Sequence, residues 1–148
     1  MRPQAAAVLA ATLTLSLTAS AAGVNPCQLL TEADVKAAIP GAWKQDAQAV
    51  NDGICGYEAA GGKALAIVAK EIAQGAAFGL AINLKATGAK ATPAPGPGAG
   101  AFRVASGRHN EIQFGKGKYV AHLRVNVEAT KDPAVLDRLA KAVYDRLP

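Results

Sequence analysis

The chain has 148 residues, with 16 lysines and arginines against 11 aspartates and glutamates and a formal net charge of +5. The basic residues are scattered and not interleaved with aromatics, so the composition gives no nucleic-acid footprint. Apolar residues make up 51% but aromatics only 5%, so a core built mainly from Val, Leu, Ile and Ala is expected.

Arg2 is the only charge before Glu32. Ala5 to Leu17 is an apolar to weakly polar run, and Ala19-Ser20-Ala21 matches a small-x-small cleavage site. A basic start, a short apolar stretch and small residues at the cut predict a secretory signal peptide over residues 1–21. The run is shorter than the ~20 residues that span a bilayer. Val24-Asn25-Pro26 also breaks the pattern that precedes an acylated lipoprotein cysteine at Cys27. A periplasmic or secreted protein with no stable membrane anchor is therefore expected. Residues 22–148 are enough for a single α+β domain.

Only two cysteines occur, Cys27 and Cys55. In an oxidising compartment two cysteines pair. A redox-active pair would need close spacing such as Cys-x-x-Cys and an electropositive setting, and neither is present. A structural Cys27–Cys55 disulfide is predicted.

Leu30-Thr31-Glu32-Ala33-Asp34-Val35 carries a helix start. Thr31 and Asp34 can cap each other, Leu30 and Val35 can staple the entry, and Pro40-Gly41 stops the helix. Trp43 to Val50 reads as a weak strand, Asn51-Asp52-Gly53 as a turn, and Ile54 to Ala59 as a strand with Cys55, Tyr57 and Ala59 on one face. After the turn at 60–63, Ala64 to Ile72 is apolar on both faces as far as Ala69, as in a central strand. Gly75 to Ala86 fits two periods. Phe78, Leu80, Ile82 and Leu84 alternate like a strand, while Ala77, Leu80, Ala81 and Leu84 form a helical stripe. The segment is read as a helix.

Residues 87–100 hold Pro93, Pro95 and Pro97 among glycines. They are expected to be an exposed, mobile Pro/Gly-rich loop without regular structure. Ala101 to Ala105, Asn110 to Phe114 and Tyr119 to Val127 read as three more strands. In the last, Tyr119, Ala121, Leu123, Val125 and Val127 face one way and His122, Arg124 and Asn126 the other. Asp132-Pro133 opens a final helix. Leu136, Leu139, Val143 and Leu147 are its buried stripe, and Asp137 and Lys141 an outer pair. The expected fold is α+β, an antiparallel sheet of about six strands with three helices packed on it.

Pro26-Cys27-Gln28-Leu29-Leu30-Thr31, Asp34-Val35 and Cys55-Gly56-Tyr57 together carry a resemblance. The chain resembles a family of secreted bacterial domains of unknown function with a Cys-x-Leu-Leu-Thr…Cys-x-Tyr pattern. Gly98-Ala99-Gly100-Ala101-Phe102 is similar to that family's Gly-x-Gly-acidic-Ala-aromatic segment, although the acidic residue is absent here. The resemblance covers about Pro26 to Leu147. It implies a PsbP-like α/β/α sandwich and supplies no catalytic residues.

No motif assigns a reaction. Ser106, beside His109 in Ser106-Gly107-Arg108-His109, lacks a Gly-x-Ser-x-Gly elbow and reads as a turn serine. No phosphate loop, dinucleotide fingerprint or zinc motif occurs, so no catalytic residue, cofactor or metal is assigned. One face carries a candidate ligand constellation, His109, Glu111, His122 and Arg124, on the hairpin around Gly115-Lys116-Gly117. A Lys116-Gly117 turn would set Glu111 opposite His122. A Gly115-Lys116 turn would set His109 opposite His122, where two imidazoles could hold a metal. The bland alternative is a solvated face with a cross-strand ion pair. The expected function is a non-enzymatic interaction or accessory module with a protein partner in the cell envelope. The alternative is a small-ligand or metal-binding periplasmic protein using the His109/His122 face.

Overall fold

The computed structural model describes residues 23–51 and 53–148, so the signal peptide expected at residues 1–21 and the turn residue Asp52 lie outside the described residues. Helix α1 (Pro26–Leu29) follows Asn25, whose side chain accepts from the Cys27 amide. Its first residue is proline, which needs no partner for a missing N–H. Helix α2 (Glu32–Ala38) starts at a full capping box. Thr31 Oγ1 accepts from the Asp34 amide, and the Asp34 carboxylate accepts from the Thr31 amide at 2.8 Å.

Seven strands form one open antiparallel sheet: β1 (Lys44–Asn51), β2 (Ile54–Ala59), β3 (Lys63–Glu71), β4 (Ala91–Pro93), β5 (Phe102–Ala105), β6 (His109–Lys116) and β7 (Tyr119–Asn126). Their order is β1-β2-β3-β7-β6-β5-β4, which leaves β1 and β4 at the edges. Helix α3 (Ala76–Thr87) follows β3, and α4 (Pro133–Arg146) follows β7 behind an Asp132 cap.

Side-chain alternation divides the sheet. Tyr57, Ile67, Ile112, Phe114 and Leu123 belong to the large core, which Leu30, Val35 and Ile39 near α1 and α2 and Leu136, Leu139 and Val143 of α4 complete. Phe102 and Val120 belong to a second, smaller cluster with Ala76 and Leu80 of α3. Strand β3 is central but buried on one side only: Leu65, Ile67 and Ala69 are buried, whereas Ala66 and Val68 are half-buried and Ala64 is exposed.

Several links join the first helices to the rest. The Cys27–Cys55 disulfide, with Cα atoms 5.3 Å apart, ties α1 to β2, and it indicates an oxidising, extracytoplasmic environment. Arg146 at the end of α4 bonds both Asp34 oxygens at 2.6 and 2.9 Å and the Leu29 carbonyl at 2.8 Å. Tyr57 Oη donates to the Leu30 carbonyl under the same helices. Among the described residues no helix is long and apolar enough to cross a membrane.

The architecture corrects three expectations. First, among the described residues the sheet has seven strands, not about six, and there are four α-helices, not three. The additional helix is α1, too short for a periodic signal. The additional strand, β4, lies inside the segment 87–100 that composition marked as a loop. Only β5 pairs with β4, and an edge strand tolerates Pro93 because one side needs no ladder bonds. Second, this segment is not exposed throughout. A 3-10 turn spans Gly88–Lys90, the Ala94 amide donates to the Ala101 carbonyl at 2.9 Å, and Ala94 and Pro97 are buried. Gly98, at φ +98°, lies on the Tyr144 ring so closely that a Cβ would come within 2.7 Å of a ring carbon. Third, Asp137 and Lys141 do not pair. Arg103 of β5 takes Asp137 through two nitrogens, and Lys141 bonds Asp145 at 2.7 Å. A half-buried fork-shaped guanidinium outcompetes an exposed ammonium for a carboxylate.

Candidate functional site

The β6–β7 hairpin takes a register that neither sequence alternative anticipated. Lys116 stands opposite Tyr119, so the two-residue turn is Gly117-Lys118. Gly117 has φ +57° and, among the described residues, no non-glycine residue has positive φ. Only the first central turn residue is therefore left-handed, which suits a glycine-first hairpin turn. The face assignment survives, because the shift is by an even number of positions: Ile112 and Phe114 stay in the core with Leu123 and Ala121.

This register decides which candidate residues meet. Glu111 stands opposite Arg124, Gln113 opposite His122, and His109 opposite Asn126. His109 and His122 are thus separated by four residues along the strands, roughly 13 Å, and do not form a two-imidazole pair. Glu111 Oε2 accepts from Arg124 Nε and Nη2 at 3.0 and 2.8 Å, while Glu111 Oε1 accepts from Gln113 Nε2 at 2.6 Å. His122 Nδ1 lies 3.8 Å from Glu111 Oε1. On its other side, His122 Nε2 lies 3.1 Å from Asn83 Nδ2 of α3. The amide donates there, which leaves the ring proton on Nδ1, facing Glu111.

Burial and charge set the ionisation of this cluster. Burial pushes the Glu111 carboxyl up, but the bonds from Arg124 and Gln113 and the charges of Arg124 and His122 outweigh it and hold it below its ordinary value. Burial pushes His122 down. Glu111 opposes that, Lys70 and Arg124 add to it, and the imidazole stays below its usual value. A buried carboxylate with all its strong donors engaged is a structural anchor. Among the described residues the one orphan is Gln113 Oε1, buried without a hydrogen-bond partner. Among the described residues no group of three His, Cys, Asp or Glu is arranged to hold a metal.

Ser106, in the exposed turn before β6, and His109, the first residue of β6, sit apart from this cluster. Ser106 Oγ is 3.2 Å from His109 Nδ1. The same oxygen accepts from the backbone amides of Arg108 and His109 at 3.3 and 3.1 Å, as a turn serine does.

The segment read as a helix over 75–86 is α3 (Ala76–Thr87); what sequence reasoning missed is which of its sides meets the sheet and which is left exposed. The helix lies on the second face of the sheet, its first turn placed by glycine. The Ala76 amide donates to the Gly117 carbonyl at 2.8 Å, and a Cβ on Gly115 would come within 2.5 Å of the Ala76 Cβ. Gly79 likewise lies close to Val120 and Ile72. The expected stripe of Ala77, Leu80, Ala81 and Leu84 is corrected. Only Leu80 of these is buried, with Ala76 one turn earlier, and Leu84 is 43% exposed. Apolar residues run all round α3, so no single stripe stands out. Such a helix is normally buried on every side, yet Phe78 and Ile82 are 49% and 52% exposed. Their i, i+4 spacing was the available signal.

Phe78 and Ile82 overhang a groove of about 680 Å³ between α3 and the sheet. Ile54, Val68 and Ile72 line its sheet side, and Lys70, Gln74, Asn83 and His122 supply its polar groups. A second, more open depression of about 710 Å³ lies over Gly56, Ala64 and Ala66, rimmed by both signs of charge, with Arg108 and Arg124 against Asp46 and Glu58. Comparison with known protein families, characterised proteins and solved structures finds no match to this chain.

Proposed function

We propose that the protein is a non-enzymatic, secreted or periplasmic binding module, an accessory protein that engages its partner through α3 and the groove beneath it. The observation that carries this function is the apolar outer side of α3. Phe78 and Ile82, one turn apart on the same side of the helix, are 49% and 52% exposed. Large clustered apolar side chains left in water mark an interaction surface. The disulfide supports an extracytoplasmic site of action, as does the signal peptide read from residues 1–21. The resemblance to secreted domains of unknown function, with their PsbP-like α/β/α sandwich, agrees with helices over both faces of this sheet. The alternative of small-ligand binding moves with the geometry. The His109/His122 pair does not meet, whereas the groove brings His122 alone to an apolar channel.

The test compares wild type with the doubly substituted Phe78→Asp, Ile82→Asp protein as bait on native envelope extract. Retention of a saturable partner by wild type, lost in the variant at an unchanged melting temperature, is expected. Equal retention by both would place the binding surface elsewhere.

A further inference from the structure

Resting on the binding function proposed above, we infer that the groove between α3 and the sheet takes a single-chain fatty carboxylate. Its alkyl chain lies along Val68, Ile72, Phe78 and Ile82, and its head group sits at Lys70. Three observations lead there. The groove is built from two elements, with a wall of sheet side chains and an overhang from α3, and its volume of about 680 Å³ falls within the ~300–1,000 Å³ of small-molecule sites. Its exposed apolar side chains have no cover in the fold, so an alkyl chain would remove them from water.

The two titratable side chains of the groove also lie together. Val68 pairs with His122 and Lys70 with Val120 across β3 and β7. Lys70 and His122 are therefore diagonal neighbours on one face and gather at one place in the groove. Asn83 holds the far nitrogen of His122, which keeps the ring from closing the channel.

The sign of the charge selects the head group. Among the described residues lining the groove, Lys70 and His122 are the titratable ones and no carboxylate is present. The carboxylate beside His122, Glu111, is engaged by Arg124 and Gln113, and Glu71, next to Lys70 in sequence, by Lys118. A cationic head group has no counterion here, and a neutral one leaves Lys70 unused. One ammonium matches one negative charge, whereas a phosphate dianion is usually met by forked guanidinium groups.

The test is calorimetric titration of delipidated protein with dodecanoate below its micellar range, with dodecanol of the same chain length, and with phosphatidylglycerol vesicles. The expected result is one dodecanoate per chain, bound about tenfold tighter than dodecanol, the size of one exposed charge-assisted contact. Lys70→Gln should bring dodecanoate to the level of dodecanol and leave dodecanol unchanged. Ile82→Asp should weaken both. Lys70 is exposed and Ile82 half-exposed, so both variants should melt with wild type. Lys70→Met and Phe78→Asp replace either that does not.

Failure of dodecanoate to bind overturns the inference. So does equal binding of dodecanol and dodecanoate, indifference to both substitutions, or binding to vesicles alone. If dodecanoate fails while an envelope partner is still lost in the Phe78→Asp, Ile82→Asp protein, the ligand is wrong and the binding function stands. If the partner is indifferent too, both fall.

Discussion

Glu111 and Asp34 are each held by a guanidinium, Glu111 across the β6–β7 hairpin and Asp34 between α2 and α4, which are distant in sequence. At Asp34, the bonds from Arg146 lower the carboxyl, burial opposes them, and the Thr31 hydroxyl and amide add to them, so it lies well below the usual carboxylate range. A depressed folded value stabilises the fold at pH above the unfolded value, about 4, and this stabilisation is lost as pH falls below it toward the folded value. Arg146→Met should therefore destabilise the protein by about 1–2 kcal/mol at neutral pH, after discounting for solvent around the two-fifths-exposed guanidinium. Urea unfolding should show the deficit shrinking below about pH 4. A deficit independent of pH would mean that the Leu29 carbonyl bond, and not the Asp34 pair, carries the effect. His122 behaves in the same direction for the opposite charge. Its folded value is depressed by burial, so the unfolded chain binds the extra proton and stability falls as pH drops below about 6.5. Glu111 works against this, while Lys70 and Arg124 strengthen it. His122→Gln should remove that slope from a series of unfolding midpoints, and an unchanged slope would assign it to another group.

At the scale of elements, α3 separates what holds the fold from what the fold displays. Leu80 is buried against Phe102 and Val120, so Leu80→Ala should cost about 2–3 kcal/mol. Phe78→Ser and Ile82→Ser, at half-exposed positions on the same helix, should stay within about 0.5 kcal/mol of wild type. Denaturant midpoints check all three. A large loss at Phe78 would mean that its ring supports the core and is not free for a ligand. The sequence made some elements legible and hid others. The starts of α2 and α4 could be read because Thr31, Asp34 and Asp132 act on amides two or three residues away, and such local chemistry is written in local sequence. The strands flanking 115–118 and their faces were also readable, because alternation needs no partner. The register was not, since three adjacent Gly and Lys positions could each make the turn. The Asp137 partner was hidden because Arg103 is brought there only by the packing of β5. Strand β4 was hidden because prolines usually forbid strands and only an edge relaxes the rule. The candidate site followed the same division. Glu111, His122 and Arg124 were placed on one face correctly, but the α3 overhang depends on which side of an all-round apolar helix meets the sheet.

For the whole molecule, one covalent bond and two packed faces set stability and display. The Cys27–Cys55 bridge closes a separation of 28 residues, which on the chain-entropy account stabilises the fold by about 3–4 kcal/mol. Replacing both cysteines by alanine should lower the unfolding free energy by about that amount. A loss under about 1 kcal/mol would mean that the Tyr57–Leu30 and Arg146–Leu29 bonds hold α1 without the bridge. One face of the sheet is closed by three helices and their large core, whereas the other is only partly covered by α3. The proposed function places binding on that partly covered face. Photo-crosslinking in the native envelope tests this most directly. The crosslinking residue replaces Ile82 in one protein and Lys141, on the exposed side of α4, in another, and the products are read by intact mass. The expected result is a discrete adduct from position 82 and none from position 141. An unmodified protein at position 82, or equal adducts from both positions, would contradict the claim that this groove is the working surface.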